Sequence, residues 1–102
     1  MNYQLVIQFP ESLCGDIDWI AEMEDRLEEA LSNAEVDGHD LGGGEVNIFI
    51  FTDAPKETFN EVKEILESSD YLLDQTKVAY RAINEDQYTC LWPEGLTEFE
   101  VT

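Results

Sequence analysis

Basic residues are the scarcest feature of this sequence: five Lys and Arg stand against 24 Asp and Glu, a formal charge of −19 at pH 7. A field of that sign repels phosphate backbones and anionic headgroups, which disfavours nonspecific binding to nucleic acid or to an anionic membrane. Cysteine is nearly as scarce. Cys14 and Cys90 are the only two, far apart and outside any C-x-x-C spacing, which argues against a disulfide framework and a paired-thiol redox site. Packing is the expected role of both. No apolar run approaches the roughly 18 residues that a membrane-spanning helix needs. Met1–Phe9 has neither the basic start nor the long apolar stretch of a secretory signal, which gives the expectation of a cytoplasmic protein with reduced thiols. Catalytic signatures are missing too: there is no P-loop, G-x-G-x-x-G turn, G-x-S-x-G elbow or H-E-x-x-H spacing. Ser12, Ser32, Ser68 and Ser69 fall at helix ends, where capping accounts for them. No catalytic residue and no cofactor is therefore assigned, and enzyme activity is unsupported.

What the sequence does hold is a core. Apolar residues make up 43% and aromatics 11% of 102 residues, and a chain of this size buries roughly 65% of its unfolded surface without staples. Tyr3–Phe9 alternates strictly, with Tyr3, Leu5, Ile7 and Phe9 on one side, which predicts a half-buried strand ended by Pro10 and a loop over Glu11–Gly15. From Asp16, a plausible N-cap, Ile20, Met23, Leu27 and Leu31 recur at helical spacing. Ala34–Leu41 predicts a strand, and Glu45–Thr52 a stronger one. Asp53 is expected to cap a second helix with Pro55 in its first turn and Phe59, Val62 and Leu66 as its buried stripe. Ser68–Asp74 breaks that pattern. Thr76–Ile83 and Tyr88–Trp92 predict two last strands around a turn.

The element order is thus β-α-β-β-α-β with an extra C-terminal hairpin strand. It predicts an α+β fold of the ferredoxin-like sandwich type: a mostly antiparallel sheet with both helices on one face. A mixed sheet of another order is the rival, because periodicity does not fix strand order. Residues 1–92 are expected to form a single domain and residues 93–102 an acidic tail with few anchors.

Three surfaces are candidates for function. The first is the acidic outer side of the helices, with Glu22, Asp25 and Glu29 as candidate partner-binding residues. It is either a solvated face that keeps the protein soluble or a docking surface for a basic partner. A small, acidic chain that covers the basic cleft of a nuclease fits this physics, and in size and charge the sequence is similar to toxin-neutralising immunity proteins and nucleic-acid mimics. The second is the sheet face away from the helices, where Phe49 and Phe51 lie with Lys77 and Arg81. RNA stacking is disfavoured there by the overall charge, which leaves a partner, a homodimer contact, or cover by the last strand or the tail. The third is the Asp37–Glu45 loop. Its Asp37, His39, Asp40 and Glu45 are the candidate metal ligands or acid/base groups of a small enzyme or ligand-binding protein. The alternative there is a plain β-connection in which glycines accept positive φ.

The stretch from Asp37-Gly-His-Asp through Gly44-Glu-Val-Asn-Ile-Phe-Ile-Phe-Thr-Asp53 covers about a sixth of the chain. It resembles sequences of small, uncharacterised bacterial α+β proteins. The resemblance implies a bacterial, stand-alone cytoplasmic protein and supplies no activity and no functional residue. The leading expectation is therefore an acidic protein-binding module that docks on a basic partner, with an inhibitor or immunity-type protein as the model. A His39-loop enzyme or ligand binder and a homodimer are the alternatives.

Overall fold

Segments of period two become strands of one sheet, and the two long segments of helical period become helices beside it. The computed structural model describes residues 1–14, 16–68 and 73–101, with backbone alone for residues 13 and 14. In chain order the elements are β1 (Tyr3–Pro10), α1 (Glu11–Cys14), α2 (Ile17–Ala30), β2 (Ala34–Gly42), β3 (Glu45–Thr52), α3 (Pro55–Glu67), a 3₁₀ turn at Leu73–Gln75, β4 (Lys77–Ala82) and β5 (Thr89–Trp92). The sheet order is β2-β3-β1-β4-β5, and every neighbouring pair is antiparallel. The architecture is α+β. Among the described residues no helix is long and apolar enough to cross a membrane.

The register explains the core. Leu5, Ile7 and Phe9 of β1 stand opposite Ile50, Ile48 and Val46 of β3, so six apolar side chains share one face of the sheet. Ile20, Met23 and Leu27 of α2 and Val62 and Leu66 of α3 pack onto that face in a single cluster. Each such side chain contributes about 1.5–3 kcal/mol when fully buried. Trp19 meets Phe9 edge to face at 5.3 Å, closing the cluster at one end. Both long helices therefore lie against the same side of the sheet, with their acidic sides outward.

Local signals hold in several places. Asp16 caps α2, its Oδ1 accepting the Asp18 N–H at 2.9 Å. Pro55 occupies the first turn of α3, where its missing N–H costs nothing. The β2–β3 hairpin turns on Gly43 and Gly44, at φ 58° and 84°. Two consecutive positive φ values make the tight connection whose twist suits antiparallel strands.

Three expectations need correcting. β1 is not half-buried: Leu5 to Phe9 are all buried, because β1 is the central strand and its second face is also occupied. The segment after Pro10 is not all loop, since Glu11–Cys14 forms one helical turn whose Glu11 N–H donates to the Gly44 carbonyl at 2.9 Å. Asp53 does not cap α3. Its Oδ1 accepts the Asn2 N–H at 2.8 Å instead, the N-cap position falls on Ala54 without a side-chain bond, and Thr52 Oγ1 accepts the Ala54 N–H at 3.0 Å. The C-terminal segment, expected to have few anchors, makes two such contacts among the described residues. Gln8 Nε2 donates to the Glu100 carbonyl at 2.9 Å, and Phe99 meets Tyr88 at 5.0 Å between ring centroids. The packing role expected of Cys14, the capping role of Ser69 and most of the break after Ser68 lie outside the described residues.

Candidate functional site

The acidic layer begins with the helical repeat. Burial of Ile20, Met23 and Leu27 turns Asp18, Glu22, Asp25 and Glu29 to the opposite side, and all four are exposed. With 1.5 Å rise per residue they form a stripe about 16 Å long. On α3, burial of Thr58, Val62 and Leu66 leaves Glu57, Glu64 and Glu67 exposed. The helices are tied side by side: Arg26 Nη2 donates to Ser68 Oγ at 3.2 Å, and Ser32 Oγ donates to the Glu61 carboxylate at 3.1 and 3.2 Å.

The cations do not neutralise this layer. Arg26 is turned to Ser68. Lys63 sits 4.8 Å over the Trp92 ring, a cation–π contact. Arg81 is held on the other side of the sheet by Gln4 Oε1 at 3.1 Å and by the carbonyls of Ala82, Ile83 and Glu85. Among the described residues the one contact within 4 Å between a basic side chain and a carboxylate is His39 Nδ1 to Glu24 Oε1 at 3.0 Å. No carboxylate of the helix layer is therefore ion-paired with a Lys or Arg among the described residues.

The aromatic candidates lie elsewhere. Phe49 and Phe51 are half-buried on the sheet face away from the helices, where Phe49 stands opposite Val6 and Phe51 opposite Gln4. The acidic trio and the aromatic pair therefore belong to two separate surfaces. Val6, Asn47 and Ala79 on the second face are fully buried, and Gln8 Nε2 donates to Asn47 Oδ1 at 2.9 Å. A shallow depression there is lined by Gln8, Glu45 and Lys77 together with Glu98, Phe99 and Glu100 of the C-terminal segment.

The four residues of the Asp37–Glu45 stretch do not converge. His39 stands opposite Ile48 and Asp40 opposite Asn47, which puts them on opposite faces of β2. Asp37 falls at the register shift between Val36 and Gly38, and Glu45 lies beyond the hairpin turn. Among the described residues no three His, Cys, Asp or Glu side chains group to hold a metal ion. His39 instead braces β2 against α2 through Glu24.

Sequence reasoning missed that brace, because residues 15 apart on a helix and a strand carry no spacing signal. It also missed the buried polar pairs Gln8–Asn47 and Thr52–Thr58, whose hydroxyls are 2.7 Å apart. The available hint was a polar residue at an otherwise apolar position of a strand or helix. No family model matches the chain, and no curated protein is significantly similar to it.

Proposed function

We propose that this chain is an acidic protein-binding module whose helix layer docks on a basic partner, as an inhibitor does when it covers a phosphate-binding cleft. The observation that carries this reading is the exposed acidic row of α2, in which no carboxylate pairs with a Lys or Arg among the described residues. Arg26 and Lys63 serve Ser68 and Trp92, while Asp18, Glu22, Asp25 and Glu29 stand exposed in one row. A helix fixes the backbone of that row before any encounter, so only side-chain ordering remains to be lost on binding. A cleft that binds phosphates is lined by Lys and Arg, and it accepts carboxylates at similar spacing for the same electrostatic reason. Steering by complementary fields raises association rates by about 10–10³-fold and fades with salt.

The scaffold reading is ferredoxin-like. β1-α2-β2 and β3-α3-β4 each make a strand–helix–strand unit with one strand inserted between its two strands, a reading that the order β2-β3-β1-β4 supports, with β5 added at the edge. The free thiol of Cys90 supports a reducing, cytoplasmic setting.

The test compares baits. The wild-type chain, E22K/D25K/E29K and a control of equal charge change away from the helices, E85K/D86K/E94K, are immobilised and offered host lysate at low salt. The expected result is one basic protein in stoichiometric amount on the wild type and the control, eluted by salt and lost from the helix variant. Equal retention by all three baits, or none by any, overturns the assignment.

A further inference from the structure

The face away from the helices has an occupant whose chemistry is known, because it is this chain's own C-terminal segment. Residues 97–101 form no ladder with the sheet. They are held by the Gln8 amide on the Glu100 carbonyl and by Phe99 against Tyr88, and their Glu98 and Glu100 share a depression with Lys77. The segment reaches this face through one sharp turn. The Leu96 N–H donates to the Pro93 carbonyl at 3.1 Å, closing four residues, with Gly95 at φ 84° in third position. That is the position at which such a turn requires positive φ, hence glycine. The turn that leads the strap back to its own sheet therefore requires glycine at one position.

We propose that residues 97–101 are an exchangeable strap, and that the face beneath them is a self-association surface on which the strap of a second copy docks. A strap arriving from a second copy makes the same contacts as the chain's own. The balance is then set by hinge conformation and by the effective concentration that tethering provides. Opening the turn at Gly95 releases the segment toward a neighbour, and the neighbour returns its own. Charge opposes the exchange, since each copy carries −19, so the dimer strengthens with salt.

Sedimentation velocity on the full chain tests this at about 0.01 M and about 1 M salt, between which the Debye length falls from about 30 Å to about 3 Å. The wild type is expected to be monomeric at low salt and to dimerise as salt rises. Gly95→Val, which disfavours positive φ, should tighten the dimer by at least about tenfold, and adding Phe99→Ala to it should return the monomer. A monomeric G95V at high salt overturns the proposal, and so does a G95V/F99A chain that dimerises as tightly as G95V. A second measurement does not depend on G95V folding. A fluorescein-labelled peptide of residues 96–101 should bind full-length F99A at least about tenfold more tightly than the wild type, whose intact strap competes as a tethered ligand. Equal binding to both chains, or none to F99A, overturns it as well.

Discussion

At the scale of single residues, the buried amide of Gln8 joins two parts of the molecule that are far apart in sequence. Its Nε2 donates to Asn47 Oδ1 and to the Glu100 carbonyl, both at 2.9 Å, with the side chain almost fully buried. Gln8→Ala takes one donor from each of these acceptors. It should cost about 1–3 kcal/mol, the range for a buried polar group that loses its partner. Urea unfolding reads this as a lower midpoint at unchanged slope; a change below about 0.5 kcal/mol would show that water replaces the amide. His39 gives the contrast. Its side chain is 28% exposed and that of Glu24 is 19%, so solvent screens the pair. His39→Ala should cost under about 1 kcal/mol. Both polar positions of the Gln8 pair were readable as members of one strand face. That they pair was not, because pairing needs the β1–β3 register.

At the scale of elements, the long segments were legible because one face of each meets the core and the other meets water. Ile20, Met23 and Leu27 are buried at the spacing the helical period demands. The single turn of α1 was not legible: four residues are too few for a period of 3.6 to show. Asp53 failed for another reason. Its carboxylate had two backbone donors to choose from, at the start of α3 and at Asn2, and only the tertiary placement of β1 beside β3 puts Asn2 within 2.8 Å. Asp16 finds its donor two residues on, at the Asp18 N–H, so its cap was legible from local sequence. Asp16→Ala should cost about 1 kcal/mol, measured as lost thermal stability, whereas Asp53→Ala should leave the α3 N-terminus intact in amide exchange. The candidate site divides along the same line. The acidic stripe on α2 follows from periodicity alone. The strap over the second face does not, because a segment without regular structure has no period to read.

At the scale of the whole molecule, the missing Lys and Arg partners have an effect on stability as well as on binding. A charge of −19 repels itself in the compact state more than in the expanded one, and no network of cation–carboxylate pairs among the described residues offsets it. Salt screens that repulsion. The urea midpoint should therefore rise steadily from about 0.01 M to about 1 M sodium chloride, whereas a protein held together by surface ion pairs responds in the opposite sense. The variant E22K/D25K/E29K raises the formal charge by six and relieves part of the repulsion, so its midpoint should exceed the wild type's at low salt and the two should converge at high salt. A flat wild-type midpoint would mean that the carboxylates are far enough apart for water alone to screen them, and a falling one that attractive pairs outweigh the repulsion. The same argument gives binding the opposite sign. Salt that stabilises the free protein weakens its attraction to a basic partner, so one set of carboxylates sets both slopes and the triple reversal should flatten both together.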